Sequence, residues 1–195
     1  MEEVEIEKPE NEKPPDWYDN HTGKGRSYYQ SKFHQELYPE VVNFLDQEDE
    51  IIDLGCGGGR LIQALQKKFI PKKYLGIDFS SIRIKVANEA YGNRWSFKRG
   101  DITKYDKVYE KFNTFVLVTV LEHINEDRKV LENIPSGSKI VMANPNKMSK
   151  SHVRRYISEE YIFDRYSDLL EFQDGKVLYN DDGSPRMFIH KCRRF

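Results

Sequence analysis

The segment Glu50 to Phe69, "EIIDLGCGGGRLIQALQKKF", constrains the fold more than any other stretch of the chain. A short apolar run leads straight into a loop in which four of the five residues from Gly55 to Gly59 are glycine. The loop opens onto Leu61, Ile62 and Leu65, spaced to share one face of a helix. A buried strand that turns tightly into a helix is the first half of a βαβ unit. The alternation then recurs. "KYLGID" reads as a strand, and Ser80 can cap the helix "SIRIKVANEAY". "RWSFKRG" reads as a strand, and "NTFVLVTVL" is a continuous apolar run suited to a parallel strand covered on both faces. "EDRKVLENI" is a helix ended by "PSG", and "SKIVMANPN" is a further strand. Right-handed crossovers between such strands give a parallel sheet with helices on both sides. After Tyr156, "SEEYIFDRYSDLL" reads as a helix capped by Ser158, and "EFQDGKVLYNDDGSPRMFIHKC" as two strands joined at "NDDGS".

A chain of 195 residues suits one domain with a sizeable core. Residues 1–15 are acidic, contain proline and are poor in large apolar groups, which predicts a mobile, disordered tail. Residues 16–47 are expected to form a lid and a helix, with Phe33, Leu37, Val41 and Leu45 at helical spacing and Pro39 predicting a kink or break. Residues 48–195 are the expected main domain. The net charge of -1 supplies no global basic field for nucleic acid. No apolar run approaches the length of a membrane span, and the N-terminus lacks the basic start and apolar segment of a signal peptide. Cys56 and Cys192 show no metal-ligand spacing, so a cytoplasmic protein is the expectation.

The glycine loop excludes two occupants. In a dinucleotide fingerprint the third glycine lies three residues after the second, where Arg60 or Ile62 stands in the two possible frames. A phosphate loop needs Gly-Lys-Ser/Thr, which does not follow. Two acidic residues sharpen the picture. Asp78 ends the next strand about twenty residues on, where a carboxylate can accept from ribose hydroxyls. Asp101, in "RGDI", can accept from an adenine amino group with Ile102 packed on the ring, although a helix-capping role fits Asp101 equally well.

Together these residues resemble the class I S-adenosylmethionine-dependent methyltransferases, most strongly from Glu50 to Asn146. "DLGCGGG" is similar to the family's D-x-G-x-G-x-G motif, with Asp53, Gly55, Gly57 and Gly59 matching position by position. Asp78 and Asp101 match the ribose-site and adenine-site acids, and "VLEHINED" matches the segment after the fourth strand in small-molecule members. The resemblance implies a Rossmann-like, doubly wound α/β fold with seven strands in the order 3-2-1-4-5-7-6, strand seven antiparallel. It implies S-adenosylmethionine as cofactor, S-adenosylhomocysteine as product, and a cofactor site formed by Asp53, Gly55, Cys56, Gly57, Gly59, Asp78, Phe79, Asp101, Ile102 and Val120. A narrower resemblance, carried by "LENIPSGSKIVMANPN" and "SHVRRY", is to a group of bacterial methyltransferases whose pattern specifies no substrate.

Methyl transfer from a sulfonium is an in-line displacement that needs alignment and, for a hydroxyl or protonated amine, removal of a proton. His123, just past the fourth strand, is the candidate catalytic base, with a structural ring at a helix start as the even alternative. One methyltransferase class uses Glu and His for a divalent ion but carries further ligands downstream; no match is found beside Glu122, so no metal is expected. His152 and Arg154 are the candidates for gripping an anionic group on the acceptor, and Lys147 and Lys150 read as surface. Trp17, Tyr18, Tyr28 and Tyr29 could form the lid, with Tyr28 and Tyr29 favoured for the pocket. The expected partner is a small-molecule methyl acceptor, taken by oxygen or nitrogen, with the protein a monomer or homodimer. The alternatives are an RNA or protein methyltransferase using "SHVRRY" and "HKCRRF", and a non-catalytic cofactor-binding module.

Overall fold

Successive residues of β1 (Glu50–Leu54) bury into opposite layers: Ile51 packs with one core and Ile52 with the other. A strand covered on both faces must be apolar throughout, which is why no polar alternation marks it in the sequence. The computed structural model describes residues 6–21 and 31–195. Around β1 run β2 (Lys73–Asp78), β3 (Ser96–Arg99), β4 (Thr114–Val118), β5 (Lys139–Pro145), β6 (Leu170–Tyr179) and β7 (Pro185–Arg194). They form one sheet in the order β3-β2-β1-β4-β5-β7-β6. The pairs among β1 to β5 are parallel, and β7 is antiparallel to both its neighbours, as expected.

One core layer contains α2 (Lys32–Asn43) and α3 (Arg60–Lys68), whose Leu37, Val41, Leu61 and Leu65 pack with Ile51, Val116 and Val141. The other contains α5 (Asp127–Glu132) and α6 (Glu159–Tyr166), whose Val130, Leu131, Ile162 and Tyr166 pack with Ile52, Leu117 and Met142. Helix α4 (Ser81–Tyr91) follows β2, and the Ser80 hydroxyl accepts the Arg83 amide at 3.2 Å, as its capping position predicts. The Ser158 hydroxyl accepts the Tyr161 amide in the same way. Helix α2 runs on through Pro39, so the expected break is absent and one helix spans the segment.

The expected acidic tail behaves differently. From Ile6 onward it is pinned to the "SHVRR" stretch by Lys8 N–H to the Val153 carbonyl at 2.7 Å and Arg155 N–H to the Ile6 carbonyl at 2.8 Å. Glu7 forms an antiparallel bridge with Arg154. Helix α1 (Pro15–His21) continues from it, and Asp19 accepts from the Ser80 and Ser81 hydroxyls and the Ile82 amide at the start of α4. Charge composition alone could not reveal this, because the acidic side chains find specific donors on the body. Among the described residues no helix is long and apolar enough to cross a membrane.

Candidate active site

The carboxyl ends of β1, β2 and β4 open into a cavity of about 280 Å³, roofed by the N-terminal segment. Its floor begins at the glycine loop. Gly55, Gly57 and Gly59 have φ of 76°, 54° and 84°, a backbone region that side chains disfavour. A Cβ on Gly55 would lie 2.5 Å from Val120 Cγ2, so the loop and the end of β4 approach as closely as bare backbone allows. Thr119 turns the chain there with φ 54°, the one non-glycine residue with positive φ among the described residues. A β-branched residue so placed stores strain of about 1–3 kcal/mol, which the surrounding structure must hold.

Asp78 lies at the end of β2, 2% exposed, and lines the cavity. Its Oδ2 accepts the Gly57 amide and its Oδ1 the Ser80 amide, both at 2.9 Å, while Arg83 sits 3.9 Å away. Burial pushes its pKa up against the opposing pull of Arg83 and the two amides. Each oxygen keeps a second lone pair. Phe79, Gly100, Asp101 and Ile102 continue the wall, and Asp101 accepts from the Thr103 amide and hydroxyl. The expected wall residues Gly55, Asp78, Phe79, Asp101, Ile102 and Val120 are thus brought together with His123.

Four expected cofactor residues act from behind the wall. Asp53 is 3% exposed and does not line the cavity; it accepts the Tyr74 hydroxyl at 2.6 Å, and burial raises its pKa to about 7. Cys56 is buried, its Sγ against the Cα side of Gly76, where the space suits a small side chain. Gly57 hands its amide to Asp78, and Gly59 starts α3 in a left-handed turn with Tyr91 packed where a Cβ would be. Tyr28 and Tyr29 lie outside the described residues. The ring that does reach the cavity is Tyr18: 5.0 Å from Phe79, 5.8 Å from His123, with burial pushing its pKa to about 12. Glu12, Lys13, Arg60, Arg83 and Thr119 also line the cavity and carry no sequence signal, because they arrive from separate elements.

The far wall is the turn after β4. Glu122 is buried and neither carboxylate oxygen has a hydrogen-bond partner among the described residues; burial raises its pKa to about 8. His123 Nδ1 donates to the Ser151 carbonyl at 2.7 Å, and Nε2 lies 3.8 Å from Glu122 Oε1. Burial, followed by the charge of neighbouring His152, pushes the His123 pKa down to about 4, which keeps the ring neutral near pH 7. His152 stands against it with ring centroids 4.7 Å apart. One nitrogen or oxygen atom from each of Glu122, His123 and His152 lies within 4.8 Å of the others.

Arg154 corrects its expected role. It is 3% exposed, donates to the Leu121 and Ile124 carbonyls at 3.0 and 2.6 Å, and pairs with Asp127 at 3.2 Å. A guanidinium so committed holds the Leu121–His123 turn in place and does not reach an acceptor. The alternative use of "SHVRRY" as a phosphate grip loses its central residue with it.

A methyltransferase domain family model matches residues 45–168, well over half of the chain. The chain belongs to this methyltransferase family. Ubiquinone biosynthesis O-methyltransferase of Coxiella burnetii is 25% identical to this chain over 139 residues, 65% of this chain and 58% of the relative. The chain therefore spans less than two thirds of that relative's length. Among solved structures, N-methyltransferase NodS of Bradyrhizobium japonicum, in complex with S-adenosyl-L-homocysteine, superposes with TM-score 0.74 at 15% identity, covering 91% of this chain and 95% of that one. The [4+2]-cyclase SpnF superposes with TM-score 0.75 at 12% identity, covering 98% and 99%. At these identities the superpositions show a shared fold.

Proposed function

We propose that this methyltransferase domain binds S-adenosylmethionine in the cavity and transfers its methyl group to an oxygen or nitrogen of a small molecule. The observation that carries the reading is Asp78, a buried carboxylate fixed by two backbone amides with lone pairs left on the cavity side. The residues present fit the nucleoside. Asp78 supplies acceptors for ribose hydroxyls, Asp101 an acceptor for an amino group, and Phe79 and Ile102 apolar faces for a ring. The bare Gly55 backbone leaves room for the amino-acid portion. When bound, the cofactor supplies an electrophilic methyl on a sulfonium. The chain's own part is to align the acceptor and exclude water, with Tyr18 closing one side and His123 facing the acceptor.

The NodS complex with S-adenosyl-L-homocysteine and the O-methyltransferase name of the Coxiella relative support the cofactor and the transfer. The test is calorimetry with S-adenosylmethionine, S-adenosylhomocysteine and NAD on wild type and Asp78→Ala. The first two are expected to bind wild type and to lose affinity in the variant. NAD binding without a response to S-adenosylmethionine would overturn the reading.

A further inference from the structure

Arg60 opens α3 directly after the glycine loop and lines the cavity together with Gly55. The fold alone gives no reason for three of its features. First, a cation here stands at the positive end of the helix dipole, where a negative group is favoured, and neither an acidic residue in the first turn nor a side-chain cap offsets it. Second, no carboxylate pairs with Arg60 among the described residues. Third, what holds the guanidinium is neutral. His34 and Tyr38 stand four residues apart on α2 and so share a face. Arg60 Nη1 donates to His34 Nε2 at 3.4 Å. A guanidinium can only donate, so that nitrogen accepts and the neutral ring carries its proton on Nδ1. Nδ1 is buried without a partner among the described residues, a cost that keeps the accepting nitrogen aimed at Arg60. Burial, with the Arg60 charge second, pushes the His34 pKa down to about 4, which keeps the ring neutral near pH 7. Tyr38 is buried beside them; burial pushes its hydroxyl pKa up, while the charge of Arg60 and a hydrogen bond from it pull the other way. The guanidinium is thus fixed in direction and not neutralised.

We propose that Arg60 takes the carboxylate at the amino-acid end of the cofactor, and that His34 and Tyr38 are positioning residues that set its guanidinium for that contact. The identity of the carboxylate rests on the methyl-transfer reading; the uncompensated cation does not. Charge sorts the two ends of the ligand. Asp78 and Asp101 offer acceptors to hydroxyls and an amino group, and would repel a carboxylate placed beside them. Arg83, a second guanidinium on the wall, lies 3.9 Å from Asp78 and over the Tyr18 ring, so its charge is engaged at that end. Arg60 stands at the glycine loop, where the bare Gly55 backbone leaves room for the amino-acid end. Its fork of N–H donors matches a carboxylate and fixes the direction from which that group arrives. Holding one end of the ligand there sets how far the rest reaches toward His123, which is the alignment that an in-line displacement needs.

The test is calorimetry of the full chain with S-adenosylhomocysteine and with its decarboxylated form, which keeps the sulfur and the amine and lacks only the carboxylate. Wild type is expected to bind the first at least about tenfold more tightly, the size of a charge-assisted hydrogen-bonded pair. Arg60→Met should lower S-adenosylhomocysteine to the affinity of the decarboxylated form and leave the decarboxylated form unchanged. His34→Phe should reduce the ratio of the two affinities by a smaller factor, and His34→Gln, which keeps an acceptor near the place of Nε2, should restore it. A merely structural role for His34 would weaken both ligands alike and leave the ratio where it was.

Equal binding of the two ligands by wild type overturns the subsite without any variant. An unchanged ratio in Arg60→Met, shown by thermal melt to be folded, overturns it as well. Lys13 also lines the cavity, and a ratio lost in Lys13→Met but kept in Arg60→Met would overturn the assignment in favour of that lysine. Failure of wild type to bind either ligand would overturn the methyl-transfer reading and this subsite with it, whereas equal binding overturns the subsite alone.

Discussion

The two ends of the cavity differ in how their carboxylates are provided for. At the β2 end, Asp78 is satisfied before any ligand arrives, each oxygen holding a backbone amide. Behind the β4 end, Glu122 is just as buried but does not line the cavity, and neither of its oxygens has a hydrogen-bond partner among the described residues. The first arrangement is rigid and suits binding, because its geometry is fixed by the strand end and the glycine loop. The second leaves bonding capacity unspent in a turn that is kept in place by a strut, Arg154, from another segment.

The comparison breaks most severely at Arg154. Arg154→Ala removes one partner of a buried ion pair and the donor to two turn carbonyls. A stability loss of about 3–5 kcal/mol is expected by chemical denaturation. In the fraction that remains folded, S-adenosylmethionine affinity should persist while turnover falls; equal loss of both would show that the ends are not separable. Asp78→Ala is the converse. Losing a charged acceptor is expected to cost about 1.5–3 kcal/mol of cofactor binding in calorimetry.

Gly55→Ala tests the contact between the ends. Its Cβ would collide with Val120 at positive φ, so a loss of about 1–3 kcal/mol is expected. Val120→Ala in the same chain should restore part of it, since only the collision is relieved. Full rescue would show that backbone conformation contributes nothing. The last effect is a slope. The Asp53 pKa rises from 3.8 to about 7 on folding. Below pH 3.8 both states are protonated; between there and pH 7 only the unfolded chain gives up the proton. Stability therefore falls as pH rises through this window, by at most about 1.4 kcal/mol per pH unit, and is level above it. Asp53→Asn should flatten the decline in melting temperature, and parallel curves for the two proteins would contradict the assignment.

The proposed cofactor end was legible because its residues are local to strand ends: the glycine spacing, Asp78 and Asp101 each follow a strand that the apolar runs reveal. The sheet order, including an antiparallel β7, came with the same resemblance and is what the fold shows. The acceptor end was not legible, because its parts meet only in three dimensions. His152 reaches His123 across 28 intervening residues, and Tyr18 arrives from the N-terminal side. Arg154 read as a grip for an anionic acceptor group because nothing local in "SHVRRY" says that Asp127 and the turn carbonyls will enclose it. The tail failed for the same reason: Glu7 and Glu12 look solvated until Arg154, Arg165 and the Asn125 amide come within reach.

The place of β7 has a consequence for the order of assembly. It is the last of the seven strands to leave the ribosome, yet it lies between β5 and β6 and pairs with both. Until Arg194 has been made, β5 has an open edge and β6 has no neighbour to join. The nascent chain can build the β1–β5 half early, but the finished sheet must wait for its final strand to thread into the interior, a long-range closure that slows folding and leaves a sticky edge exposed meanwhile.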